Sequence, residues 1–339
     1  MSNQPPSSEV PQGAIRLNTD SQKLEFYAQD RWYEMATDTP NLSTRQTNGR
    51  GLFMGGHDES ANRQDRIDFI TIATAGGAVD FANLTDSRSA AAAIASNTRA
   101  MLLGGTSPGN VNTVDYVTIS ISSDAIDFGD LTSARHWTQG VSNSTRGIAA
   151  GGNPGSNVID FCTIATTGDF QDFGDLTYRD DTAVSANSSN QSPTRGFFGG
   201  GTPTYNNSID FITIATLGNS QEFGDSSTQI AREARGSSTT RALLIGGVRP
   251  EPSASSIIDY FQMATLGNAI DFGDSTASNS NSAGSSDCIR VAFAHGNNPS
   301  NTDKIDYINI STGGNAFDFG DLTLARNHLG GCSNGHGGL

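Results

Sequence analysis

The chain has 339 residues and a formal charge of −15, with 35 Asp and Glu against 20 Lys and Arg. A phosphate backbone would demand a basic stripe, so this balance argues against a nucleic-acid partner. The opening "MSNQPPSSEV" has no leader-like region, and no apolar run approaches the length of a membrane helix. We therefore expect the protein to be assembled in a cytoplasm and not to insert into a membrane.

The N-terminal segment predicts a small β-module. Residues 1–12 are rich in Pro and Ser and should stay extended until they meet a partner. The stretch "GAIRLNTDSQKLEFYAQDRWYEMAT" then alternates like three short strands with two turns. Such a meander is marginal by itself and must pack on another surface. We assign residues 1–40 to a docking segment whose candidate contact residues are Arg16, Tyr27, Trp32 and Tyr33.

The rest of the chain, residues 41–339, is repetitive. The second glycine of each Gly-Gly pair, or of His-Gly in the last unit, stands at 56, 105, 152, 201, 247 and 296, a period of 46 to 49 residues. A period of about 40 to 50 residues with short β-like segments is typical of propeller blades. Each unit contains an Arg, an apolar run, Gly-Gly, a variable loop, two strands around a Gly turn and a Ser/Thr/Asn-rich return. This order predicts four antiparallel strands per unit.

The C-terminal "NHLGGCSNGHGGL" repeats the beginning of a unit and then stops. We expect residues 327–335 to supply the inner strand of the first unit, whose other strands begin at Arg50, so that no sheet edge is left open. The predicted fold is therefore all-β: a six-bladed β-propeller with a short N-terminal β-meander module.

Several charged residues recur once per unit. The triplet Asp127-Phe128-Gly129 matches the magnesium-holding motif of protein kinases, but it recurs in other units and no other kinase motif is present. Repetition likewise favours a structural role for two further sets, which we expect to fix turns or to pair with each other or with backbone carbonyls. A metal-ligand role for the acids is the alternative. The two sets are the acids Asp68, Asp115, Asp160, Asp210, Asp259 and Asp306 and the arginines Arg50, Arg99, Arg146, Arg195, Arg241 and Arg290.

Two patterns resemble known families. The Gly-Gly that ends one strand, the aromatic after an acid in "IDF" and "VDY", and the Arg of "LTSAR" resemble kelch repeats over residues 44–339, with Phe in place of the usual fourth-strand Trp. The N-terminal "NTD", "KLEFY" and "WYE" resemble a module of bacteriophage tail-fibre and other virion proteins. The repeat wording is similar to that of structural proteins from phages of marine cyanobacteria. The resemblance implies a virion protein whose partners are other virion proteins of the capsid or tail.

The loops after Gly-Gly differ most between units, and a common frame with divergent loops is typical of a recognition face. A host-surface glycan or protein is the expected ligand. The candidate binding residues are Asp58, Glu59, Tyr205 and Arg249 in these loops, with His136 and Trp137 at the rim of the central channel.

No catalytic residue, metal site or cofactor is predicted, and the chain is expected not to be an enzyme. Its five histidines are scattered, and its three cysteines stand at unrelated positions. One alternative is a soluble kelch-type lectin or interaction scaffold. A more remote one is a metal-dependent oxidase, since kelch enzymes exist that oxidise alcohols at copper; His136 and His328, at nearby repeat positions, are the pair that would matter there.

Overall fold

The computed structural model describes residues 10–18, 23–29, 31–34, 49–177, 190–201, 206–249, 253–297 and 299–339. The chain divides into two compact units, Met1–Arg45 and Gln46–Leu339. All regular elements of the described residues are β-strands, and they form one three-stranded and six four-stranded antiparallel sheets. The architecture is therefore all-β and propeller-like, in agreement with the sequence pattern.

The N-terminal unit contains the predicted meander. Its sheet has the order β1-β2-β3, with both pairs antiparallel. Arg16 lies opposite Glu25, and Tyr27 lies opposite Trp32. Because side chains alternate across a strand, these four residues share one face of the sheet. The strands are β1 (Ile15–Asn18), β2 (Lys23–Ala28) and β3 (Arg31–Glu34).

The second unit contains six sheets, which we number 1 to 6. Sheet 1 combines β4 (Arg50–Met54), β5 (Arg66–Thr71) and β6 (Val79–Asn83) with the last strand of the chain, β27 (Gly330–Ser333). Sheet 2 consists of β7 (Ala92–Ala95), β8 (Arg99–Thr106), β9 (Asn110–Thr118) and β10 (Ile126–Asp130). Sheet 3 consists of β11 (Gln139–Ser142), β12 (Arg146–Ala150), β13 (Val158–Thr163) and β14 (Gln171–Asp175).

The remaining sheets follow the same plan. Sheet 4 consists of β15 (Asn190–Gln191), β16 (Arg195–Gly199), β17 (Asn206–Thr213) and β18 (Gln221–Ile230). Sheet 5 consists of β19 (Ala234–Ser237), β20 (Arg241–Ile245), β21 (Ser255–Gln262) and β22 (Ile270–Asn279). Sheet 6 consists of β23 (Ala283–Ser286), β24 (Arg290–Ala294), β25 (Lys304–Asn309) and β26 (Phe317–Asp321).

The first strands of the sheets, which we call the inner strands, lie beside one another. Strand β27 contacts β23 and β7, β11 contacts β7 and β15, and β19 contacts β15 and β23. The pairing of β27 with β4 is the one predicted for residues 327–335, with Gly330 opposite Met54 and Ser333 opposite Gly51. The first sheet is thus built from both ends of the unit.

Apolar side chains form a separate core between each two neighbouring sheets, because both faces of a middle strand are covered. Leu52 of sheet 1 packs with Leu102 of sheet 2, for example. Another core joins Phe53 of sheet 1 to Phe319 of sheet 6. Burial on both sides accounts for the nearly continuous apolar runs in the second and third strands.

The repeated Phe-Gly of the fourth strand makes the joint to the next sheet. Phe223 is buried, and its carbonyl accepts the amide of Gly267, in the turn of sheet 5, at 3.2 Å. Gly224 has a φ of 158°, and a Cβ there would overlap the Gly267 carbonyl. The glycine is required because the two backbones touch. The kinase-like triplets are therefore architectural, as predicted.

Candidate binding site on the loop face

The alternating strands give the second unit two faces. The loops between second and third strands, such as residues 55–65, and the links into the next sheet, such as residues 84–91, emerge on one side, which we call the loop face. The hairpin turns between third and fourth strands, such as residues 72–78, and those between first and second strands, such as residues 287–289, emerge on the other side, which we call the turn face. The divergent loops of the sequence thus share the loop face with the links.

The next-to-last residue of each described link is in the left-handed region, although none of these residues is Gly. The amide of Ala90 donates to the His328 carbonyl at 2.9 Å, and that of Trp137 donates to the Ala90 carbonyl at 2.7 Å. Such φ values are unfavourable for ordinary side chains and persist where surrounding bonds fix them. The chain of bonds holds these side chains around the loop-face end of the inner strands. The residues are Ala90, Trp137, Arg232, Asn281 and His328, with φ from 52° to 63°.

Three of these side chains, Trp137, Arg232 and His328, lie together with the imidazoles of His57 and His136. We call this group of five residues the aromatic cluster. The ring of Trp137 lies 4.7 Å from that of His136 and 6.2 Å from that of His328. His57 stacks on His328 at 4.9 Å. The Arg232 guanidinium lies 5.9 Å from the Trp137 ring. Small Ala90, between the links that carry His328 and Trp137, leaves room for these two rings to approach.

Burial favours the neutral form of the imidazoles in the cluster. Burial lowers the pKa of His328 to about 3, with further lowering from His57, Arg232 and His136. Burial also lowers the pKa of His57 and of His136. His328 retains some solvent contact although protein atoms crowd its ring. The cluster therefore offers rings, hydrogen-bonding nitrogens and one guanidinium charge.

No three His, Cys, Asp or Glu side chains among the described residues are arranged to hold a metal ion. The structure does bring His136 and His328 into one cluster, each beside Trp137, as their repeat positions suggest. Stacking on an apolar ring face and hydrogen bonding are the interactions that this arrangement offers a ligand.

The acids of the first loop organise that loop. The Asp58 carboxylate accepts the amides of Ser60 and Asn62, both at 2.9 Å, and the side chains of Asn62 and Gln64. These bonds, led by the Asn62 amide, lower the pKa of Asp58. Exposed Glu59 accepts the Asn301 amide at 2.8 Å and so joins the loops of sheets 1 and 6.

Arg249 faces the interior, unlike the surface position expected from the sequence. Its side chain is 1% exposed, and its guanidinium lies 2.5 Å from the Asp259 carboxylate. Ile230, the last residue of β18, stands at the repeat position that Arg88 occupies before sheet 2, so the cation for Asp259 comes from the loop of sheet 5 instead. The predicted contact residue Tyr205 lies outside the described residues.

The repeated acids pair with the preceding link more than with the strand-opening arginines. Asp115 binds Arg88 at 2.6 Å and the hydroxyl of Thr85 at 2.8 Å. Asp160 binds Arg135 at 2.6 Å. In sheet 6, His295 replaces the link arginine and lies 2.8 Å from Asp306. All three pairs are buried. The two arginine pairs fasten a link to the third strand of the sheet that follows, whereas the His295 pair joins the end of the second strand to the third strand within sheet 6.

The strand-opening arginines bind backbone carbonyls, one of the two predicted partners. Arg50 donates to the Ile119 carbonyl of sheet 2 at 2.9 Å, and Arg290 donates to the Ala73 carbonyl of sheet 1 at 2.8 Å. All six guanidinium groups also lie 4.6 to 5.5 Å from an aromatic ring of their own sheet. The strand-opening arginines thereby join each sheet to the next one by hydrogen bonds.

The predicted docking residues of the N-terminal unit occupy two faces of its sheet. Arg16 binds Glu25 at 2.7 Å and lies 4.1 Å over the Trp32 ring, beside the buried Tyr27. Tyr33 is on the opposite face, where its ring stacks on Phe26 at 5.5 Å. Arg16, Tyr27 and Trp32 therefore form one group, and Tyr33 belongs to another.

The last residues of the chain, 334–339, follow β27, and no role was predicted for residues 336–339. The His336 imidazole contacts the Ala95 carbonyl at 2.7 Å, and its Nδ1 accepts the Gly338 amide at 3.1 Å. A Cβ at Gly337 would overlap the carbonyls of Ser238 and Gln191. The segment therefore fills the turn-face end of the inner strands. The signal was the run "GHGG", which permits close backbone approach.

Comparison with known protein families and with curated protein sequences finds no match to this chain. Within the part of the chain that the structure describes, no helix has the length and hydropathy needed to span a membrane.

Proposed function

We propose that the chain is a non-enzymatic structural protein of a bacteriophage particle, built as a closed, six-bladed, kelch-like propeller with an N-terminal docking unit. The resemblance of both segments to virion proteins motivates the function. The observation that carries it is the use of the repeated charges: buried pairs such as Arg88–Asp115, and donors such as Arg50, bind the links and sheets to one another. Charged side chains that hold the links and sheets together in this way support a rigid frame.

Two observations support a closed ring. Strand β27 pairs with β4, which joins the C-terminal residues to the first sheet. A shared apolar core and the Arg290 hydrogen bond then link sheet 6 to sheet 1. Closure removes the open edges that would otherwise invite aggregation.

In the proposed arrangement, the N-terminal unit binds another virion protein of the capsid or tail. The loop face presents Glu59 and the aromatic cluster to a host-surface glycan or protein. Each contact of this kind is weak, and many copies on one particle strengthen attachment.

The test uses two variants assembled into particles in infected cells, together with cryo-electron microscopy of the wild-type particle. A chain lacking residues 1–45 is expected to keep its melting temperature and to be missing from purified particles. A Trp137→Ala chain is expected to be incorporated normally and to weaken host adsorption; Ala90 shows that Ala is accommodated at this backbone position. In the wild-type particle, density for residues 1–45 should continue into a capsid or tail protein.

Three results would contradict the proposal. Incorporation of the truncated chain would remove the docking role of residues 1–45. A protein found only as a free monomer that binds glycans would be a lectin or scaffold. Stoichiometric metal together with alcohol oxidation would indicate the oxidase.

A further inference from the structure

The second unit carries an uneven distribution of exposed apolar side chains. Those among its described residues that are both large and exposed all lie in turn-face hairpins or at the first residue after them, and each is 53 to 66% exposed. Soluble surfaces usually scatter such residues singly, whereas a group on one face marks an interaction surface. The residues are Val79, Ile121, Ile126, Leu217, Leu266, Ile270, Ile289 and Phe317.

Strand register explains why four of them share a position. Val79, Ile126, Ile270 and Phe317 each begin a fourth strand, opposite an aromatic residue of the third strand. The same position is polar in sheets 3 and 4, where it is Gln171 and Gln221. The apolar choice is therefore not demanded by the fold.

Two of the hairpins also contain grooves. One, of about 270 Å³, is lined by Phe161, Thr163 and Thr166 of sheet 3. Its counterpart in sheet 4, of about 390 Å³, is lined by Phe211, Thr213 and the exposed Leu217. Each groove has an aromatic side chain and a polar rim, so it suits the insertion of a partner side chain.

The charge of this surface selects the partner. An exposed acid follows each fourth-strand position, next to the apolar residue in four of the six sheets. The strand-opening arginines of the same face are already bound to carbonyls and rings. Two such acidic surfaces repel each other, which disfavours a second copy of this chain. The acids are Asp80, Asp127, Asp172, Glu222, Asp271 and Asp318.

We propose that the turn face is a docking surface for a partner protein that presents apolar side chains interspersed with Lys and Arg. The apolar residues and the two grooves supply contact area. The acids supply orientation and speed of association, which salt weakens. The proposal goes beyond the loop-face and N-terminal roles, and it stands whether or not the assembly is a phage particle.

The test measures binding of the full chain to a fluorescent peptide of alternating Leu and Lys by anisotropy. Alternating Leu-Glu and Ser-Lys peptides are the controls. The Leu-Lys peptide is expected to bind best and to weaken at high salt. The triple variant Ile126→Ser, Ile270→Ser, Phe317→Ser should lose roughly tenfold in affinity, because buried apolar area is lost from the complex.

The matched control, Ser133→Ala with Ala134→Ser, changes exposed residues of the loop-face link 131–138 and leaves the turn face intact, so it should bind within about twofold of the wild type. Urea unfolding verifies that both variants fold. Equal binding by all three proteins, equal binding of the Ser-Lys peptide, or no binding at all would overturn the proposal. So would self-association in sedimentation that the triple variant abolishes, since the occupant would then be a second copy.

Discussion

Buried ion pairs hold the repeated acids in place, and the cationic partners of these acids differ between sheets. Asp160 pairs with the guanidinium of Arg135, which stays charged in proteins, whereas Asp306 pairs with the imidazole of His295. Both acids are fully buried. The cost of neutralising the acid therefore depends on what the remaining partner can do.

We expect Asp160→Asn to destabilise the fold by about 3 to 5 kcal/mol, because the buried Arg135 charge is left uncompensated. Asp306→Asn should cost less, because a histidine partner, unlike an arginine, leaves no permanent buried charge and the partly exposed Lys304 remains solvated. Urea unfolding of both variants at pH 8 measures the difference. Equal losses would show that the charge of the partner is irrelevant. A loss of binding at full stability in Asp160→Asn would contradict the structural role.

His336 gives the fold a pH dependence. Burial lowers its pKa to about 4, against about 6.5 in an unfolded chain. The stabilisation is complete above pH 6.5 and is lost as the pH falls from 6.5 towards 4, because only the unfolded state binds the proton in that range. Between pH 7.5 and 5.0 the wild type should lose about 2 kcal/mol more than His336→Gln. Urea titrations at both values provide the measurement, and identical slopes would contradict it. The lowered pKa values of His57, His136 and His328 act in the same direction in both proteins.

At the scale of elements, the C-terminal residues act twice: β27 completes sheet 1, and residues 334–339 fill the end of the inner strands. The first role was predicted, because the Gly-Gly of a new unit is legible in the sequence. The second role was not predicted, because it depends on contacts with Ala95, Ser142 and Gln191, which belong to three different sheets.

Two truncations separate these roles. Removal of residues 327–339 should expose β4 as an open edge and abolish soluble, cooperative folding. Removal of residues 334–339 should leave the β27–β4 ladder in place, lower the melting temperature and increase hydrogen exchange at Ala95 and Ser142. Calorimetry and exchange mass spectrometry provide the measurements. An unchanged melting profile for the longer truncation would refute the strand assignment.

For the whole molecule, the sequence predicted what is local and repeated. The period of 46 to 49 residues gave the sheets, and two-sided apolar strands indicated burial on both faces. The candidate site was harder to predict from the sequence, because the aromatic cluster brings together His57 with His328 and Arg232 with Trp137, which are far apart in the sequence. The surface position predicted for Arg249 was wrong, because the residue that requires this cation lies elsewhere in the sequence. Buried Asp259 needs a cationic partner, and Ile230 supplies none at the repeat position where other sheets have an arginine. The repeat period predicts the architecture that the sheets share. Contacts that do not repeat from sheet to sheet can be identified only when that architecture is known.

The position of β4 has a mechanical consequence. The described part of the second unit begins at Gly49 and passes directly into β4, an interior strand with β27 on one side and β5 on the other. A pull transmitted from the N-terminal side is therefore shared by two hydrogen-bonded ladders and cannot peel away a strand at the margin. Tension along the strand loads these bonds in shear, so many must fail together before the unit opens. A tether joined at this point draws on the strength of the whole sheet.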